Sequence, residues 1–165
     1  METAIETITL RHATPRDEPF LRELFEVNAS AEFIAAGFPQ SQYQPLVDLQ
    51  YRGRAMTYSA QYPEAVSWII CTESGEAVGR HLLERKASTL RSIDLAILPA
   101  WQGKGLGTFV LQCAQQLARS EGVSFHLRVA KGNRAIQLYR RLGFLVAAED
   151  ELSYEMTWRS GCIPK

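Results

Sequence analysis

The sequence predicts an α/β (α+β) domain organised around a mixed sheet of about seven strands, with about four helices, in a chain of 165 residues. Three observations carry the prediction. Short alternating segments rich in β-branched residues cluster after Pro63, where two apolar runs flank the turn "ESGE". Two stretches with helical apolar spacing precede them, and two more are threaded between the later strands. Finally, 46% hydrophobic against 22% charged residues gives apolar surface for one ordinary core, and the chain is short for two. A single domain over 1–165 is expected.

Taken in order, "AIETITLR" alternates and suits an opening strand. From Asp17 to Asn28, Phe20, Leu21, Leu24 and Phe25 recur at helical spacing. "SAEFIAAGFPQSQYQP" carries Gly37, Pro39 and Pro45 and reads as a loop or broken helix; Leu46 to Ala60 is a second helix, weakened by Gly53. "AVSWIIC" and "AVGRHLLER" form a hairpin, and a third strand runs from Thr89 to Leu98. A helix from Gly105 to Ser120 follows, with Leu106, Val110, Cys113 and Leu117 on its apolar stripe. "VSFHLRV" is a strand, and "NRAIQLYRRL" is a short helix stopped by Gly143. "FLVAA" and "LSYEMTW", joined by the acidic turn "EDE", are the closing strands.

Composition narrows the partners. Eighteen basic residues balance eighteen acidic ones, so no overall positive field favours nucleic acid or an anionic membrane. No apolar run approaches the roughly 18 residues of a membrane span, and "METAIETITLRH" lacks a signal-peptide pattern. A cytoplasmic location is the expectation. Cys71, Cys113 and Cys162 are odd in number and lack ligand spacing, so neither a disulfide framework nor a metal site is expected.

The chemistry concentrates at "SIDLAILPAWQGKGLGT". A strand ends at Pro99 and a helix begins near Gly105, so free N–H groups of the loop and first helical turn converge on one point, which suits a phosphate. Gly103, Gly105 and Gly107 lack a Cβ and let an anion approach those amides; Lys104 and Gln102 add donors nearby. A Walker loop fails because Gly103-Lys104 is followed by glycine, and "GKGLGT" has the wrong spacing for a dinucleotide fingerprint. A plain connecting turn stays open, although three glycines in five residues exceed what a turn requires.

Gln102-Gly103-Lys104-Gly105-Leu106-Gly107 resembles the Q/R-x-x-G-x-G/A motif of the GNAT superfamily of acyl-CoA-dependent N-acyltransferases. Asn133 to Phe144 is similar to that family's N-x-x-A-x-x-x-Y-x-x-x-G-F run, with Ala135 one place early and Tyr139, Gly143 and Phe144 in order. The resemblance covers about Ala65 to Trp158. It implies a mostly antiparallel sheet splayed between the fourth and fifth strands, with acceptor-side helices over about 17–62 and an acyl-CoA-binding core over about 65–158. It also implies acetyl-CoA as co-substrate, with its pyrophosphate on the amides of Gly103, Lys104, Gly105, Leu106, Gly107 and Thr108 and with Gln102 beside them. Pantetheine would pair with the backbone of Ile97 and Leu98 and touch Asn133. The Ile97 N–H would polarise the acyl carbonyl.

By the same resemblance Tyr139 is the acid that protonates the departing thiolate; by spacing alone it is a core aromatic beside Ile136 and Leu142. Asn133 equally suits a helix N-cap. Asp94 is placed on the strand face of Ser92, Ala96 and Leu98, and two readings stand for it. It is a base acting through water, or the structural partner of Arg80, His81 or Arg128. His81 and His126 are outside candidates for the base. The acceptor, a small-molecule or peptide amine, is expected against residues 28–62, where Asn28, Glu32, Phe38, Gln50 and Tyr58 are available and Glu32 is the simple partner for a cation. An idle acyl-CoA-binding domain and a protein-modifying enzyme are the rival readings, and a homodimer is left open.

Overall fold

The computed structural model describes residues 7–161. Its strands are β1 (Thr9–His12), β2 (Val66–Cys71), β3 (Ala77–Arg85), β4 (Thr89–Ile97), β5 (Ser124–Ala130), β6 (Leu145–Glu149) and β7 (Ser153–Trp158). Its α-helices are α1 (Glu18–Ala35), α2 (Gln40–Gln61), α3 (Leu106–Glu121) and α4 (Ala135–Arg141). The predicted opening strand lies partly, and Cys162 wholly, outside the described residues.

One seven-stranded sheet runs in the order β1-β2-β3-β4-β5-β7-β6. Every neighbouring pair is antiparallel except β4 with β5, so the expected mixed, mostly antiparallel architecture holds. The parallel pairing is short: its register runs from Thr89↔Ser124 to Ser92↔Leu127 and stops there. Ile93 to Ile97 therefore continue with β3 on one side and no strand on the other. This is the splay expected between the fourth and fifth strands.

Of the two readings for residues 30–45, a loop or a broken helix, the structure has the broken helix. Residues 30–45 are mostly helical, and only Ala36 to Pro39 turn the chain. At that turn Gly37 has φ +82°, Gly37 donates to Ile34 O and Phe38 donates to Phe33 O. This paired arrangement satisfies orphan carbonyls at a helix end. Phe33 stacks on Tyr43 at 5.6 Å, and Tyr43 and Val47 are buried, so packing holds α2 helical across Pro45 despite its missing N–H.

In α3 the first half of the expected stripe, Leu106 and Val110, is buried, and the second half shifts by one residue. Leu106, Val110, Leu111, Ala114 and Ala118 are buried, whereas Cys113 is half-buried and Leu117 is exposed. A four-residue step from Leu106 reaches Ala114 and Ala118, and those small side chains let the helix lie close on β4 and β5. Ile70, Leu95 and Ile97 pack with Leu106 and Val110 on this face of the sheet.

His81 is buried on the same side, 1% exposed, with Nε2 2.8 Å from Ser92 Oγ. Burial first, and the Arg80 charge second, push its proton affinity down from 6.5 to about 3. Folded His81 thus stays neutral where the unfolded imidazole is protonated, and stability falls as pH falls from about 6.5 towards 3. The slope from this residue approaches about 1.4 kcal/mol per pH unit. Urea unfolding between about pH 7 and about pH 5 checks this: His81→Leu should flatten the loss, and an unchanged slope would assign the acid sensitivity elsewhere. Asp17, held low by Arg11 and the Thr14 amide, and Asp150, held at about 2 by the Leu152 and Ser153 amides, titrate below that window.

Candidate active site

The end of β4, the glycine loop and α4 meet at the splay. Ile97 pairs with Gly79, and the next bond of that ladder is from Leu98 N to Val78 O at 2.9 Å. In an antiparallel ladder this makes Gly79↔Ile97 a non-hydrogen-bonded pair, so the Ile97 N–H and C=O point away from β3 and into the gap. Gly79 is required for this close pairing, since a Cβ there would sit 2.6 Å from Ala96 O. Leu98 differs from expectation. Its N–H is spent on Val78 and its carbonyl accepts from Trp101 N, so of the two residues only Ile97 offers a free N–H.

Beyond the short turn Pro99–Trp101 the chain passes through Gly103 (φ +73°) and Gly105 (φ +85°) into α3. These left-handed positions are where glycine is needed, and a Cβ at either would meet nothing within 4 Å, so the space in front of them is open. Phe109 makes the first helical bond, to Gly105 O, which leaves the amides of Leu106, Gly107 and Thr108 without intrahelical partners. Gly107 is helical, and a Cβ on it would lie 3.7 Å from Ile97 Cδ1 and 4.0 Å from Leu138 Cδ2. Strand end, helix start and α4 are therefore in contact.

The flanking side chains sit differently from expectation. Lys104 Nζ lies over the Trp101 ring, 4.9 Å from its centroid. Gln102 turns back to the strand: its Nε2 donates to Ile97 O at 2.9 Å and to Asn28 Oδ1 at 3.1 Å. Asn28 Nδ2 also reaches Ile97 O, at 3.2 Å, so this small network ties α1 to the end of β4. Asn133 Oδ1 accepts from Ala135 N at 2.9 Å, which caps the start of α4.

Tyr139 is half-buried, with its ring edge-on to Phe144 at 5.9 Å. Among the described residues its hydroxyl takes no hydrogen bond. Burial, and secondarily the Asp94 charge, raise its pKa above the ordinary value near 10, so the phenol stays protonated at neutral pH.

On the opposite face of the sheet α1, α2, β3 and β4 enclose a cleft of about 880 Å³. Arg80, Leu82, Asp94 and Ala96 form its floor, and Asn28 brings it up to the Ile97 carbonyl. Arg80 Nη2 binds Asp94 Oδ2 at 2.6 Å, with both side chains less than one-fifth exposed. Of the partners considered for Asp94, only Arg80 holds it: His81 binds Ser92, and Arg128 pairs with Asp150. A bulge explains one misplacement. Leu82 pairs with Asp94 but Leu83 pairs with Ser92, so Ile93 is an extra residue and Ser92 falls on the face opposite Asp94.

Glu32 and Phe38 lie outside the cleft, while Asn28, Gln50 and Tyr58 line it. Sequence reasoning missed Glu18, Phe25, Tyr51 and Arg54. Tyr51, Arg54, Ala55 and Tyr58 stand at i, i+3, i+4 and i+7 on α2, and that spacing was the available signal. His126 bonds Ser124 Oγ at 2.7 Å and, like His81, does not line the cleft.

The sequence matches the acetyltransferase (GNAT) family over residues 22–144, and the chain belongs to that family and is an acetyltransferase. No curated protein matches the sequence significantly. Its structure is similar to that of the PaiA N-acetyltransferase of Thermoplasma acidophilum in complex with coenzyme A (TM-score 0.70, 18% identity, 93% of this chain and 99% of that one). An acetyltransferase from Thermus thermophilus gives 0.67 at 21% identity, covering 94% and 98%. The spermidine/spermine N-acetyltransferase SpeG of Vibrio cholerae gives 0.63 at 18% identity, covering 93% and 95%.

Proposed function

We propose that this chain moves an acetyl group from acetyl-CoA to a primary amine of a small molecule or peptide by direct attack. The observation that carries this reading is the free Ile97 N–H in the splay, in contact range of the glycine-loop helix start. The residues present fit coenzyme A: open space faces Gly103 and Gly105, and the amides of Leu106 to Thr108 have no internal acceptor to displace. Gly103 to Thr108 hold the pyrophosphate, the Asn133 side-chain amide holds pantetheine, the Ile97 N–H is kept for the acyl carbonyl because Gln102 and Asn28 already occupy the Ile97 carbonyl, and residues 65–158 form the acyl-CoA core. Gln102 contributes by fixing the strand end, and Leu98 through its carbonyl alone.

Acetyl-CoA supplies the acetyl thioester. The neutral amine nitrogen forms the new C–N bond to give a tetrahedral intermediate whose oxygen the Ile97 N–H stabilises, and the C–S bond breaks as that intermediate collapses. Tyr139 gives its proton to the departing sulfur, and the proton that the attacking nitrogen sheds in becoming an amide passes through water and restores the Tyr139 phenol. Asp94 serves as the ionic partner that holds Arg80 in the cleft floor. Accordingly Asp94→Asn should destabilise the fold by roughly 1 to 3 kcal/mol and leave the acidic limb of the rate profile in place. A folded, equally stable variant with a flattened acidic limb would instead make Asp94 the base.

The reading is tested by melting. Saturating acetyl-CoA should raise the melting temperature by mass action, and 3′-dephospho-CoA should do nearly as well because the loop addresses the pyrophosphate. Absence of a shift at millimolar acetyl-CoA would overturn it.

A further inference from the structure

The cleft between α1, α2 and the sheet carries charges of both signs, and they are not equally engaged. Asp94 is bound to Arg80. Glu18 accepts the Tyr51 hydroxyl hydrogen. Arg54 is different: its guanidinium lies over the rings of Phe25 and Tyr58, 5.3 and 5.9 Å from their centroids, and no carboxylate is within ion-pair distance of it among the described residues. Two aromatic rings lie beside the exposed guanidinium, and among the described residues none of its N–H groups is spent on a hydrogen bond, so its fork is available to a carboxylate. Arg80 adds a second guanidinium to the lining, and its Nε is buried without an acceptor among the described residues.

A polycation is poorly served by such a lining. Arg80 and Asp94 offset one another, so the lining offers a chain of several ammoniums the single carboxylate of Glu18, while the Arg54 guanidinium is left to face an anion. Between the charges the walls are apolar: Leu21, Leu24, Phe25 and Leu82 line the same space.

Resting on the acetyltransferase reading, we propose that the acceptor is an aminocarboxylate with an apolar or aromatic side chain, its carboxylate on Arg54 and its amine directed past Asp94 to the Ile97 end of β4. Arg80 keeps the Asp94 charge offset, so the acceptor's carboxylate meets no uncompensated anion on the cleft floor. The apolar walls take the side chain.

Calorimetric titration tests this with and without saturating coenzyme A, so that acceptor binding is read apart from turnover. The probes are L-phenylalanine and L-leucine, their decarboxylated counterparts phenethylamine and isoamylamine, and spermidine. The aminocarboxylates should bind about tenfold or more tightly than their amines, a difference of about 1.4 kcal/mol. Arg54→Met keeps an apolar stem over Phe25 and Tyr58 on a helix that tolerates methionine, and it should collapse that ratio towards unity. Arg54→Lys should restore part of it. Tighter binding of spermidine or of the decarboxylated amines, a ratio near unity in the wild type, or a ratio that survives Arg54→Met would each overturn the proposal. If acetyl-CoA fails to shift melting while the ratio and its Arg54 dependence hold, the transferase reading fails and the carboxylate site stands.

Discussion

Gly105→Asp removes the acetyl-CoA-dependent rise in melting temperature while leaving a folded protein. Gly105 sits at φ +85° at the helix start, and aspartate is among the side chains that tolerate this region best. A Cβ there meets no atom within 4 Å, so packing is undisturbed and the cost to the fold is backbone strain at positive φ, which Gly105→Asn carries equally. What changes is charge, since a carboxylate then stands where the helix-start amides await a phosphate. Gly105→Asn has the same shape without the charge and separates the two effects. At a hundredfold excess over Kd, ligand binding stabilises by about 2.7 kcal/mol. The asparagine variant should keep part of that and the aspartate variant none. Retention of the full shift by a folded Gly105→Asp protein would make the glycine loop a connector.

Tyr139→Phe has the second largest expected effect, and it falls on chemistry alone. The ring packs against Phe144 and the hydroxyl has no partner among the described residues, so removing the oxygen costs the fold little. Acid catalysis can contribute about 10² to 10⁴ in rate. Here the donor's pKa is raised above 10 while a thiol has one near 8.5, so proton transfer to the sulfur runs uphill and the thiolate leaves tolerably unaided. The loss should therefore be roughly 10 to 100-fold in kcat, larger at low pH than at high pH, with the coenzyme binding constant little changed. Wild-type turnover by the phenylalanine variant would return Tyr139 to core packing.

Much of this site was legible in the sequence because its signals are local. Gly103 and Gly105 stand at positive φ where three glycines follow a strand and a proline, and the Tyr139 to Phe144 spacing marks α4 and its end. The succession of strands and helices followed from alternation and turn residues, while the splay between the fourth and fifth strands came from the family resemblance. What escaped depends on pairing between distant segments. The bulge at Ile93, set by the register of β3, moves Ser92 to the other face. Leu98 loses its N–H to Val78, a partner twenty residues earlier. Gln102 turns to Asn28 and Ile97, and helix packing by Tyr43 and Val47 overrides Pro45. Arg54 was in view at helical spacing from Tyr58, but its lack of a carboxylate partner is visible only once the helices are docked.

Acetyl transfer to an amine is read by release of free thiol from acetyl-CoA over an amine panel, with the product identified by mass. Thiol release should depend on the amine, match the N-acetylated product in amount, and be fastest with an apolar aminocarboxylate. A protein whose melting temperature rises with acetyl-CoA but which releases no thiol with any amino acid, peptide, polyamine or aminoglycoside would contradict it and leave an acyl-CoA-binding domain without turnover.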